Sequence, residues 1–151
     1  MNILVFGSNE QGFHGAGGAG LAMRNDSSNT WRSDPAFLAA MNAPRGSPLR
    51  IGHRAIFGIS RGFQQGHAGA SYAICTVTRP GHRRSIPLSD IASQLHALAT
   101  FARSRPDDTF DILNIGTGYA GYTSDEMAAI WCNIPLPPNC TRRPVVAIRL
   151  S

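Results

Sequence analysis

The sequence predicts an α/β protein, a mixed or parallel sheet with helices on its faces. Two observations predict it. Short β-branched or aromatic runs alternate with segments of helical periodicity. A unit of strand, glycine-rich loop and helix start also occurs twice, at Ile3 to Met23 and at Phe110 to Trp131. A chain of 151 residues is expected to form one domain over its whole length. At this size about two-thirds of the unfolded surface is buried, enough for a core without staples.

The first element is Ile3 to Phe6, four apolar residues that read as a buried strand. Gly7-Ser8-Asn9 breaks it, a glycine-dense run from Gly12 to Gly20 follows, and Leu21-Ala22-Met23 starts a helix. This order suits phosphate, because glycines admit the ligand to the backbone and the free N–H groups of a helix start point at the anion. Asn9 stands where the strand ends, a usual place for a ligand contact in an open α/β sheet. Gly15, Gly17 and Gly20 spell G-x-G-x-x-G. The dinucleotide fold wants the first of these glycines directly after the strand and an acid at the end of a second strand. Here Gly15 lies well beyond Gly7, and Asp34 sits in a Ser/Asn/Pro-rich stretch, so nicotinamide binding is disfavoured. A tight turn or a helix packed on a neighbour is the structural alternative for Gly15 to Gly20.

Asn25 to Pro48 reads as an insertion, a connection or a lid, with a short helix over Pro35 to Met41 capped by Asp34. A short strand is expected near Ala55-Ile56-Phe57, then a second glycine-containing loop from Gly58 to Gly69. Ser71 to Thr78 is a strand by its β-branched and aromatic content. Pro87 to Arg105 is the best helix: Ser89 or Asp90 caps it, and Ile91, Leu95, Leu98 and Phe101 share one face. Thr109 to Ile115 is the next strand. The loop Gly116 to Tyr122 follows, then a helix capped by Thr123 or Ser124, with Asp125 and Glu126 in its first turn. Pro135 to Pro144 reads as a proline-rich crossing, and Val145 to Leu150 as a closing strand.

The net charge of +5 favours an anionic partner. Basic residues are scattered in small groups such as Arg83-Arg84 and Arg142-Arg143, which argues against a nucleic-acid surface. The cysteines, Cys75, Cys132 and Cys140, show no C-x-x-C spacing, and no metal or cofactor is expected. With no signal segment and no apolar run near 18 residues, a reduced, cytoplasmic setting away from membranes is expected.

Several motifs together carry a resemblance. They are Val5-Phe6-Gly7-Ser8-Asn9 with Gly12, His14-Gly15 and Gly17; Gly69-Ala70-Ser71-Tyr72-Ala73-Ile74 with Thr76; Ile115-Gly116, Gly118 and Ala120-Gly121-Tyr122 with Asp125-Glu126; and Pro138-Asn139-Cys140. In this order the chain resembles small phage and bacterial proteins of the macrodomain-like, ADP-ribose-binding group. The resemblance implies a three-layer α/β/α domain and an ADP-ribose-type, NAD-derived ligand. It implies that Gly116, Thr117, Gly118, Tyr119, Ala120, Gly121 and Tyr122 surround phosphate and ribose. It places Ser8 and Asn9 near the distal ribose, with Gly15, Gly17 and Gly18 against it. Macrodomains often hold the adenine amine with an aspartate near the first strand, and no acid precedes Ile3 here.

Two functions follow from the resemblance. One is a binder that sequesters or clears a nucleotide signal in phage–host conflict. The other is a hydrolase that removes ADP-ribose from protein, nucleic acid or a small molecule. Hydrolysis needs a positioned base, and His14 and Asp125 are the catalytic candidates. Each has a structural alternative: a loop histidine bonded to backbone, and a first-turn acid favoured by the helix dipole. Glu126 shares the second alternative, His67 is a lesser candidate, and Cys75 and Cys140 read as packing residues.

Overall fold

The computed structural model describes residues 1–12, 39, 42, 44, 60–65 and 70–142. Within them five strands form one mixed, mostly parallel sheet: β1 Asn2–Asn9, β2 Gly62–Gln65, β3 Ala70–Val77, β4 Thr109–Ile112 and β5 Cys140–Arg142. Two helices, α1 Leu88–Arg103 and α2 Ser124–Trp131, and a 3-10 turn Gly118–Ala120 complete the described elements. The expected α/β class is what the chain adopts. No helix among the described residues is long and apolar enough to cross a membrane.

The strand order is β2-β3-β1-β4-β5. β1 is central and runs parallel to both β3 and β4, β5 runs parallel to β4, and β2 pairs antiparallel with β3. Strands buried on both faces read as continuous apolar runs, which is why β1 and β3 were readable. Ile3 and Val5 point to one face with Tyr72, Ile74, Phe110 and Ile112, under the helices. Leu4 and Phe6 point to the other with Ala73 and Leu113, and these are buried as well.

α1 lays Ile91, Leu95, Leu98, Ala99 and Ala102 on the first face. Phe101 is half-buried and its ring meets Phe63 at 4.9 Å, Tyr72 at 5.5 Å and Phe110 at 5.9 Å. Offset and edge-on rings at these spacings add to simple burial. Neither Ser89 nor Asp90 caps the helix: the N-cap is Pro87 and makes no side-chain cap bond. Asp90 is drawn instead to Arg61, which donates to it at 2.7 and 2.9 Å and reaches Glu10 at 3.4 Å. That partner holds the Asp90 carboxyl below its ordinary range.

Several boundaries differ from expectation. β4 ends at Ile112, three residues short of the expected Ile115. β1 runs on to Asn9 because Gly7, Ser8 and Asn9 pair with Ile74, Cys75 and Val77. β2 lies inside the expected Gly58 to Gly69 loop; its sequence, Gly-Phe-Gln-Gln, has no strand signature and depends on pairing with β3. β5 lies inside the expected proline-rich crossing and depends likewise on β4. Where β2 stops, the Gln94 side chain continues its role: Oε1 accepts from the Cys75 N–H at 2.6 Å and Nε2 donates to the Cys75 carbonyl at 2.8 Å. Asn139, just before β5, donates through Nδ2 to the carbonyls of Ala102 and Arg105 at 2.9 Å and Asp108 at 3.0 Å, closing the end of α1. The expected strand at Ala55 to Phe57, the closing strand Val145 to Leu150 and nearly all of the Asn25 to Pro48 insertion lie outside the described residues.

Candidate functional site

From β1 the chain leads to β3 on one side of it, and from β4 to β5 on the other. The segments leaving β1 and β4 therefore part company at neighbouring strand ends. In open α/β sheets a crevice forms at the carboxyl ends where that reversal occurs, and ligands bind there. Because β1 and β4 are adjacent and parallel, the turn after Asn9 and the Gly116 to Tyr122 loop leave the same edge of the sheet.

On the β1 side, Ser8 and Asn9 are buried. The Ser8 hydroxyl donates to the Ser60 carbonyl. Asn9 folds the chain back on itself: Oδ1 accepts from the Gln11 N–H at 3.1 Å, and its carbonyl accepts from Gly12 at 3.0 Å. Gly12 sits at φ +65°, a conformation that glycine adopts at little cost. His14, Gly15, Gly17, Gly18 and His67 lie outside the described residues.

On the β4 side, Leu113 still bonds to Val5, and the chain then turns through Gly116, Gly118 and Gly121, all at positive φ. The three glycines have different reasons. A Cβ on Gly116 would meet Met127 Sδ at 2.3 Å, and one on Gly121 would meet Arg83 at 3.0 Å. A Cβ on Gly118 would meet nothing within 4 Å. The Gly121 N–H closes on the Gly118 carbonyl and the Tyr122 N–H on the Gly116 carbonyl. Thr117 Oγ1 accepts from Asn114 Nδ2. Among the described residues no hydrogen bond uses the N–H of Thr117, Gly118 or Tyr119.

The two tyrosines of this loop have opposite surroundings. Tyr119 is 78% exposed, whereas Tyr122 is buried, donates its hydroxyl to the Ile86 carbonyl, and lies under Arg84 at 4.7 Å. Ala120 is buried beside it, its carbonyl accepting from the Arg84 N–H at 2.7 Å.

The N-terminus of α2 caps itself. Thr123 Oγ1 accepts from the Glu126 N–H at 3.1 Å, and Glu126 Oε1 accepts from the Thr123 N–H at 2.9 Å. Such a reciprocal box uses two of the donors that would otherwise face an anion, the N–H groups of Thr123 and Glu126. Arg84 forks onto the same carboxylate, and this pairing holds Glu126 down at about 2. Asp125 is exposed in the first turn. Among the described residues, the amides of Thr117, Gly118 and Tyr119 are donors at this strand end that no protein acceptor occupies.

Arg83 and Arg84 are the residues whose place sequence reasoning missed. They appeared only as a small basic group, and the available signal was their position after the Pro80-Gly81 turn. A hollow of about 180 Å³ lined by Arg61, Gly62, Tyr72, Ala73, Gln94 and Ala97 lies elsewhere, over β2, β3 and α1. Its polar groups Arg61 and Gln94 are already engaged with Asp90 and Cys75, so the strand ends are the better site.

No family model matches the chain, and no curated protein matches its sequence. A solved structure of a protein of unknown function from Bacteroides thetaiotaomicron is similar in fold, with a TM-score of 0.51 and 13% identity over 86% of this chain and 77% of that one. The likeness concerns the fold alone.

Proposed function

We propose that the protein binds an ADP-ribose-type, NAD-derived nucleotide in the crevice between the two glycine-containing turns. The observation that carries this reading is the parallel pairing of β1 with β4, which brings Asn9 and Gly118 to one sheet edge at the point where the chain reverses. The N–H groups of Thr117, Gly118 and Tyr119 supply phosphate donors, and the exposed Tyr119 ring supplies a face for a ribose or base. The macrodomain-like motifs of the sequence support the same ligand class, within a three-layer domain.

Calorimetry with ADP-ribose tests the reading. The wild-type chain is expected to bind, and Gly118→Val is expected to abolish binding. At φ +72° that substitution costs about 1–3 kcal/mol of backbone strain, while its branches project where nothing now stands. No heat from ADP-ribose at millimolar concentration rejects the proposal. A hydrolase using His14 and Asp125 is the second reading, favoured by the exposure of Asp125 beside the turn. Chromatography after incubation with an ADP-ribosylated substrate separates the two: unchanged substrate leaves a binder.

A further inference from the structure

Three connectors leave the same edge of the sheet, those after β1, β3 and β4, because the three strands are parallel. The connector after β3 reaches past β1 and docks on the turn after β4. Arg84 donates its N–H to Ala120 and its Nη1 to the Gly121 carbonyl at 3.1 Å, and Arg83 Nη1 donates to the Gly118 carbonyl at 3.4 Å. Arg84 holds φ +55°, a costly conformation for a side-chain-bearing residue, and these bonds and its fork onto Glu126 hold it there.

The two neighbouring arginines are in different electrostatic states. Arg84 is neutralised by Glu126. Arg83 is exposed and has no carboxylate partner among the described residues. One of its five N–H donors rests on Gly118, leaving the rest of the planar fork for another acceptor. It stands against a turn whose Thr117, Gly118 and Tyr119 amides have no acceptor among the described residues.

We infer that Arg83 is the side-chain clamp of an anion site completed by the amides of Thr117, Gly118 and Tyr119, and that the site takes a pyrophosphate or phosphate ester. This deepens the nucleotide reading above and rests on it for the rest of the ligand. A guanidinium fork matches two phosphate oxygens at once, which a lysine does not. Arg84 positions the connector, and its charge is spent on Glu126.

The test measures binding of two probes, ADP-ribose and inorganic pyrophosphate, to wild type, Arg83→Gln, Arg83→Lys and Arg79→Gln. Arg83→Gln is expected to weaken both probes by about 10- to 100-fold, as loss of a charge-assisted pair does. Arg83→Lys recovers part of that loss. Arg79→Gln, which removes a nearby exposed charge that donates to His82, stays near wild type. Circular dichroism of each variant confirms the fold. Equal binding by wild type and Arg83→Gln, or equal losses in Arg79→Gln and Arg83→Gln, overturns the clamp while leaving the nucleotide reading intact. Pyrophosphate binding that depends on Arg83, with no binding of ADP-ribose, supports the clamp and rejects the nucleotide reading. Binding of neither probe to wild type overturns both.

Discussion

The guanidinium of Arg84 lies forked on the carboxylate of Glu126, Nη1 to Oε1 at 2.9 Å and Nη2 to Oε2 at 2.6 Å. The pair joins the connector after β3 to the first turn of α2, and Glu126 also completes the capping box. One carboxylate therefore links a helix start, a loop and the glycine turn between them.

This carboxylate makes stability depend on pH in a definite direction. Its folded pKa, about 2, lies below the ordinary value of 4.5. The contribution is therefore complete above about 4.5 and is lost as the pH falls towards about 2. Glu126→Gln is expected to be less stable than wild type at neutral pH, with the gap closing through that window. Urea midpoints measured on both proteins across the window check it; parallel curves would show that the fork contributes nothing.

Gly116 and Gly118 are expected to respond unequally to the same substitution. Gly116→Ala combines a left-handed backbone with a Cβ 2.3 Å from Met127 Sδ, and is expected to cost about 2–4 kcal/mol. Gly118→Ala meets no atom and is expected to cost only about 1 kcal/mol. Denaturant unfolding of the two variants decides; equal losses would mean that Met127 yields freely.

The contrast between these glycines also shows what the residues alone could reveal. The glycine loop, its strand and the cap of α2 were readable because each is a local pattern: an apolar run, a turn composition, Thr123 three residues before Glu126. Central strands β1 and β3 were readable because burial on both faces makes them continuously apolar. β2 and β5 were not, since Gly62–Gln65 and Cys140–Arg142 become strands only through the neighbours they pair with. Long-range partners were hidden for the same reason. Nothing around Asn139 announces that it closes α1, and nothing around Arg83 announces that it meets Gly118, 35 positions away. The place of Asn9 at the strand end is legible from its position, whereas the bond from Gln11 N–H to its Oδ1, which shapes the turn, is seen only in the structure.

The three cysteines are expected to react with a thiol reagent in order of exposure. Cys132 is exposed and should label first. Cys140 is intermediate, and burial raises its thiol pKa, so it follows slowly. Cys75 is fully buried, its thiol pushed up to about 11 chiefly by desolvation, and it should label only on unfolding. Counting labelled thiols in native and denatured protein checks this; rapid native modification of Cys75 would contradict its place in the core.

Tyr119 and Tyr122 stand three residues apart and are expected to separate binding from stability. Tyr122→Phe keeps the ring but strands the buried Ile86 carbonyl that its hydroxyl serves, at a cost of about 1–3 kcal/mol. Because that hydroxyl points into the protein, affinity for ADP-ribose should be unaffected under conditions where the variant is folded. Tyr119→Ala removes an exposed ring with no internal partner among the described residues, so stability should change by no more than about 0.5 kcal/mol. Its effect should fall on the ligand, which loses its aromatic face, by about 0.5–1.5 kcal/mol. Melting curves and titrations on both variants read the two effects separately. A stable Tyr122→Phe that no longer binds would move the ligand to the inner, buried tyrosine and overturn the role given to Tyr119.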